Sequence, residues 1–227
     1  MINPSALVGV DNPELCPVVI GHFLTQKTAT AFLQMQQAAL ADGINIGIAS
    51  SYRSFERQVM IWNRKYRGEN TVFDSNGTPI ADWSHVPPQQ RILAILRWSA
   101  LPGASRHHWG TDLDVYAPDL LPHGQKLQLT PDEYDTKTGY FAPLTAWLDE
   151  HMQQFGFFRP YAIDKGGIAP EPWHLSYHPE AVNYQQLFTL EHLHDALMQH
   201  EIEGNPHVLV NLPLIWNKFV MNICENN

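Results

Sequence analysis

Ser105-Arg106-His107-His108-Trp109-Gly110-Thr111-Asp112-Leu113-Asp114-Val115-Tyr116 reads as a turn that opens onto a strand. Gly110 lets the backbone bend between His107 and the residues that follow. Thr111 to Tyr116 suits a strand, and it carries Asp114. The imidazole before the bend and the carboxylate on the strand can therefore point into one space. Asp112 and Asp114 are two apart, so on a strand they share a face.

Working outward, Ile44, Ile46 and Ile48 recur along Ile44 to Ser50, which suits a second strand. Phe157-Phe158 and Trp173 to Tyr177 read as two further short strands. Helices are expected from Thr25 or Thr28 to about Ala41, from Phe55 to Tyr66 behind a Ser54 cap, and from Gln89 to Trp98. Phe141 to Phe155 places Leu144, Trp147, Leu148, Met152 and Phe155 on one stripe, and Gly156 ends it. One more helix is expected from about Glu180 to His200, before an apolar tail, Val208 to Ile223, that packs on the body. Residues 67–88 and 117–139 are rich in Pro and Gly and read as long loops; the first is a candidate for function on length alone. Helices and strands mix without a βαβ rhythm. The expectation is one α+β domain over 1–227, with a small, mainly antiparallel sheet surrounded by helices. Its chemistry lies in about 44–178, its 1–24 is an irregular arm, and its 180–227 is a helical and apolar extension.

The 227 residues suffice for one core without disulfides. Cys16 and Cys224 lie near opposite ends and read as free thiols rather than a scaffold. A net charge of -9 disfavours non-specific nucleic-acid binding and docking on anionic lipid. No segment is apolar and long enough to span a bilayer. No Lys or Arg precedes Lys27, so no basic n-region is visible, and with Met1 as the start a cytoplasmic protein is expected. Oligomeric state is not legible.

Three clusters carry chemistry. A zinc site in a hydrolase needs three protein ligands and one open position. His107 and Asp114 supply two ligands from one local segment, and His174 supplies a third from a distant strand. Glu171 lies three residues before His174, and Pro172 makes a continuous ladder between them unfavourable. Glu171 therefore belongs to the turn entering the strand, in reach of a general-base role. Arg53 is a fixed positive charge after a strand and before a helix, placed to face a carbonyl oxygen as charge develops. Gln58, one helical turn on, could bind a substrate amide or carboxylate. Singly, each has a duller reading: Arg53 a surface ion pair, Ser105 a turn cap, Glu171 a solvated acid, Trp173 and Trp109 packing residues. Most of the 12 histidines are expected to be exposed or merely hydrogen-bonded, His108 among them. A serine nucleophile is the rival chemistry, but no Gly-x-Ser-x-Gly elbow is present.

Together the clusters resemble the VanY-like D-Ala-D-Ala carboxypeptidases. These zinc peptidases belong to a superfamily with the lysostaphin-type enzymes and the hedgehog domain. Ser105, His107, Gly110 and Asp114 fall on Ser-x-His-x-x-Gly-x-Ala-x-Asp. Glu171, Trp173 and His174 fall on Glu-Pro-Trp-His, and Tyr52, Arg53, Ser54 and Gln58 on the upstream Tyr-Arg-Ser and Gln pattern. The resemblance implies one Zn2+ per chain on His107, Asp114 and His174, with Glu171 as base and Arg53 stabilising the transition state. Ser105 and Gln58 would hold the substrate's end, with Tyr52 beside them and Trp173 walling the cleft. Asp112 stands where the family has Ala; it could orient a ligand histidine from behind or bind a cationic part of the substrate, and spacing keeps Asp114 as the ligand.

The implied reaction is hydrolysis of the terminal D-Ala from a peptidoglycan stem peptide or muropeptide. A cytoplasmic protein would meet recycled tetrapeptides, which favours L,D-carboxypeptidase activity. D,D-carboxypeptidase activity on D-Ala-D-Ala ends, an endopeptidase and a non-catalytic zinc module are the alternatives. Glu171 and Arg53 speak against the last.

Overall fold

A computed structural model describes residues 2–226. The chain opens with a short helix α1 (Pro4–Leu7) and a hairpin, β1 (Leu15–Val19) and β2 (His22–Thr25). Then come α2 (Gln26–Ala41), β3 (Gly47–Ser50), α3 (Phe55–Tyr66) and α4 (Pro88–Trp98). Next are β4 (Asp112–Tyr116), α5 (Ala142–His151), β5 (Phe157–Phe158) and β6 (His174–Tyr177). Four helices close the chain: α6 (His178–Leu187), α7 (Leu190–Gln199), α8 (Asn205–Val210) and α9 (Leu212–Ile215).

Strands β3, β4, β6 and β5 form an antiparallel sheet in that spatial order. This is the α+β architecture expected from the sequence. Register matters most at its centre: Asp114 lies opposite Ser50 on one side and His174 on the other. Asp112 lies opposite Ser176. The strands alternate, so Leu113, Val115 and Leu175 turn to the face away from these polar residues. There they join Ile48, Phe32 and Met35 of α2 and Leu144 and Leu148 of α5 in one core. A second core joins Phe55 and Trp62 of α3 with Ile92 and Leu96 of α4. It also takes Leu193 and Leu197 of α7 and, from the C-terminal segment, Val208, Ile215 and Phe219. The polar face of the sheet is nonetheless closed to water: Asp112, Asp114, His174 and Ser176 are all buried.

Three expectations are corrected. The arm is not irregular: Leu15 pairs with Thr25 and Cys16 with Leu24 in a two-stranded ribbon. Pro17 is tolerated because a two-stranded ribbon asks each strand to bond on one side only, and the register shifts between Pro17 and Val19. The helix expected over 180–200 is two helices, parted at Phe188, with Thr189 capping the second through a bond from the His192 amide at 3.3 Å. The helix expected to Phe155 keeps α-geometry only to His151, and its last turn tightens to a 3-10 turn before Gly156. The apolar tail packs on the body as expected, through Val208, Leu212, Ile215 and Phe219. Cys16 and Cys224 are both free.

Candidate active site

The bend read from the sequence exists. Residues Arg106–Trp109 form one 3-10 turn, Gly110 follows with φ 72°, and β4 begins two residues later. A Cβ at Gly110 would lie 2.5 Å from Leu15 Cδ2, so both the backbone conformation and the packing of β1 require glycine. The bend brings His107 Nε2 to 3.3 Å from Asp114 Oδ2. Cross-strand pairing brings His174 Nδ1 to 3.2 Å from Asp114 Oδ1. Ligand-capable atoms of these three residues lie within 4.8 Å of one another, all buried.

The outer nitrogens of both rings have acceptors. His107 Nδ1 lies 2.8 Å from the Ser51 carbonyl oxygen, so that nitrogen carries the proton and Nε2 presents its lone pair inward. His174 Nε2 lies 2.9 Å from Asp112 Oδ2, which leaves Nδ1 facing Asp114. Asp112 is held in turn: Arg106 Nε donates to Oδ2 at 2.7 Å, and Thr111 and Ser176 hydroxyls donate to Oδ1 at 2.8 and 2.9 Å. Asp112 thus stands behind His174, and Asp114 is the carboxylate that faces both rings.

The charge balance shows what this pocket lacks. Burial opposes ionisation of Asp114, but His107 and His174 outweigh it and hold the carboxyl far below its usual range. Burial also opposes a charge on His174, yet the carboxylates of Asp112 and Asp114 raise its pKa to about 10. His107 is lowered, first by burial. Asp114 Oδ1 is buried and accepts no hydrogen bond. One positive charge beside Asp114 satisfies all of this, either a proton on His174 or a divalent metal ion in its place. Two imidazoles and a carboxylate with outer partners fit a metal of the zinc type.

Around the cluster is a cavity of about 260 Å³. Glu171 lines it, with Oε2 3.4 Å from His174 Nδ1. Its position comes from the turn predicted by Pro172: the Glu171 amide donates to Tyr161 O at 2.9 Å, and the His174 amide donates back to Glu171 O at 3.1 Å. Burial pushes the Glu171 pKa up to about 7, with His174 opposing and Asp114 adding to the rise. Arg53 also lines the cavity, its Nη1 donating to Gln58 Oε1 at 2.8 Å and its Nη2 to Ser50 Oγ at 3.0 Å. Ser105 and Trp173 are buried residues of the cavity wall.

Gln58 and Tyr52 are placed differently from the expectation. Gln58 is fully buried beneath Arg53, and its Nε2 donates to Ala100 O at 2.7 Å, so both ends of its amide are engaged within the protein. Neither Gln58 nor Tyr52 lines the cavity. The Tyr52 hydroxyl points to Gly9 O, 3.4 Å away. Residues 67–88 do not reach the cavity either; Gln128 and Leu129 of the other long loop do. Leu129 has φ 55°, a left-handed conformation unfavourable for leucine. His108 is buried, donates from Nδ1 to Arg53 O at 2.6 Å and accepts from the Gly103 amide at 3.1 Å. Burial lowers its pKa to about 3, so it is a neutral strut under Arg53.

Sequence reasoning missed Tyr161, Lys65 and Arg106. Tyr161 is buried in the cavity wall, its ring 5.1 Å from that of His174. Nothing local in the sequence marks it; only the carbonyl that holds Glu171 betrays its place.

The family model for VanY, D-alanyl-D-alanine carboxypeptidase, matches residues 21–180. The chain belongs to the VanY family. An uncharacterized protein of Haemophilus influenzae is 40% identical over 123 residues, 53% of this chain and 93% of the relative. A D-alanyl-D-alanine carboxypeptidase of Enterococcus faecalis is 30% identical over 143 residues, 62% of this chain and 42% of that longer protein. Among solved structures, a vancomycin-resistance D,D-pentapeptidase VanY variant in complex with Zn(II) superposes with a TM-score of 0.53 at 25% identity. That match covers 84% of this chain and 99% of the other. The LD-carboxypeptidase LdcB shares the fold, with a TM-score of 0.52 at 21% identity over 81% and 78% of the two chains. VanY proteins and their structural neighbours are carboxypeptidases and related peptidases, and this chain is an enzyme of that kind.

Proposed function

We propose that the chain is a zinc-dependent carboxypeptidase that releases the C-terminal D-alanine from peptidoglycan stem peptides. The observation that carries this reading is the place of Glu171. A largely buried carboxylate, its pKa raised by burial, stands in a cavity, 3.4 Å from the inward nitrogen of a candidate metal ligand. A purely structural metal site has no use for such a group.

His107 Nε2, Asp114 and His174 Nδ1 would hold the ion. Bound there, zinc supplies Lewis acidity, polarising a carbonyl oxygen and acidifying water. Glu171 takes the proton of the attacking water and returns it to the departing amine nitrogen. A carboxylate on the cavity wall beside the cluster is placed to do both. Arg53 presents its guanidinium to the carbonyl oxygen as charge develops, pre-oriented by Gln58 and Ser50. Ser105, Tyr161 and Trp173 wall the space for the terminal residue.

Within this reaction the L,D-specific cleavage comes first in our reading, tetrapeptide to tripeptide in wall recycling, at a cytoplasmic location. Its support is chemical: an enzyme in the cytoplasm meets recycled tetrapeptides, in which D-Ala follows the L-centre of a diamino acid. Ala6, Leu7 and Val8 are core residues, and Trp109 Nε1 donates to Leu7 O at 3.0 Å. These residues are built into the body of the enzyme. Purified protein loaded with zinc and given tetrapeptide and pentapeptide muropeptides tests the reading. Release of D-Ala from the tetrapeptide is expected. Cleavage of the pentapeptide alone would replace L,D by D,D specificity, and internal fragments would make it an endopeptidase. No cleavage with metal bound would leave a binding module.

A further inference from the structure

The Lys65 side chain lines the cavity although no motif called for it. It lies in the last turn of α3, where a cation favours the helix dipole. Its neighbour Arg64 is exposed and meets that need, whereas Lys65 is half-buried and turned inward. Among the described residues Lys65 has no hydrogen bond and no carboxylate within ion-pair distance. Burying an ammonium in that state is unfavourable unless something else answers it.

The rest of the wall explains what answers it. Its carboxylates are Asp114 and Glu171, and its cations are Arg53, Lys65 and Arg106. Arg106 is neutralised by Asp112, at 2.7 Å. Asp114 is committed to the two histidines. With a divalent ion in place the wall is net positive, and Arg53 and Lys65 are its two cations without an ion-pair partner. Their backbones enter the wall from opposite ends of α3. Arg53 stands before the N-cap of α3, held by Gln58; Ile61 and Lys65 follow Gln58 at three and seven residues, on the same face. Lys65 is about 10 Å further along the helix axis than Gln58.

We propose that Lys65 forms a second anion subsite, which takes a side-chain carboxylate on the residue that precedes the scissile bond. The inference rests on the L,D-carboxypeptidase reading above. A terminal alanine offers one anion, its own carboxylate, which belongs in the space walled by Ser105, Tyr161 and Trp173. A second anion at Lys65 must then come from the amino side of the bond. Burial lowers the Lys65 pKa to about 8, with Glu171 opposing and Arg53 adding, so the group is still cationic at neutral pH. An acidic diamino acid, such as diaminopimelate, before D-Ala has the required carboxylate; lysine does not.

The test uses the zinc-loaded enzyme and two tetrapeptides ending in diaminopimelyl-D-Ala, with the distal carboxyl free or amidated. Wild-type enzyme is expected to prefer the free carboxylate about 10- to 100-fold in kcat/KM, carried by KM and weakened by salt. Lys65→Met should bring the two peptides to parity, and Lys65→Arg should restore most of the preference. A wild-type enzyme that cleaves both peptides equally overturns the subsite and leaves the carboxypeptidase reading standing. A Lys65→Met enzyme that loses both substrates in the same proportion also overturns it, because Lys65 would then serve the terminal carboxylate or the fold. Cleavage of neither peptide by the wild-type enzyme removes the L,D reading, and the subsite with it. The wild-type comparison and Lys65→Arg decide the matter even if Lys65→Met folds poorly.

Discussion

Asp112 Oδ2 lies 2.9 Å from His174 Nε2 and 2.7 Å from Arg106 Nε, so one buried carboxylate both orients a candidate metal ligand and neutralises a buried guanidinium. Arg106 adds a bond to Ser176 Oγ at 2.7 Å and stacks 4.6 Å above the Trp109 ring. Asp112 and Arg106 act as one buried pair behind the candidate site. Asp112→Ala should weaken zinc binding about 10- to 100-fold, measured by competition with a chromophoric chelator. It should also cost about 3–5 kcal/mol in denaturant unfolding, because Arg106 is left buried without its partner. Arg106→Met with Asp112→Ala should recover part of that stability but not the metal affinity. Unchanged affinity in Asp112→Ala would refute the orienting role.

Glu171→Gln removes the base and keeps the volume. We expect kcat to fall about 10²- to 10⁴-fold with zinc content unchanged. Metal analysis alongside steady-state kinetics checks it, and near-normal kcat would assign the proton transfer to another group.

Arg53→Ala should lower kcat about 10²- to 10³-fold with a smaller effect on KM. Gln58→Ala separates two roles. If Gln58 holds Arg53, as the 2.8 Å bond indicates, kcat falls and KM moves little. A rise in KM alone would mean that Gln58 touches substrate after all.

Removal of the metal should abolish hydrolysis, and zinc should restore it. Asp114 Oδ1 is buried without a hydrogen bond, so the ion should also stabilise the fold. At 100 times its Kd the gain is about 2.7 kcal/mol. Calorimetry with and without a chelator measures it, and identical melting curves would rule out a filled site.

Gly110→Ala places a side chain in the left-handed region and against Leu15. The backbone alone costs about 1–2 kcal/mol, and the overlap adds to it. Since this bend sets His107 against Asp114, zinc affinity should fall with stability. Wild-type affinity in a destabilised variant would show that the bend serves packing only.

The sequence by itself determined the chemistry-bearing centre. Local signals sufficed there: Gly110 for the bend, alternation for β4, and Pro172 for the turn that frees Glu171 from the ladder. The mixed architecture followed from periodicity of 3.6 and of 2 in separate segments. Boundaries were less legible. The hairpin at 15–25 was hidden by Pro17 and Gly21, and the break at Phe188 by a run that kept helical composition.

What only the tertiary structure decided concerns partners remote in sequence. Asp112 and Asp114 are equivalent in the local pattern; Arg106 and the register against Ser176 and His174 send one behind the metal site and the other into it. Gln58 looked like a substrate ligand because it lies one turn from Arg53, but its far end bonds Ala100 O, across the chain. Tyr161 and Lys65 carry no signal at all. A cavity wall is assembled from side chains that meet only after packing, and the energy that places them comes from burial and pairing over distances no local motif can encode.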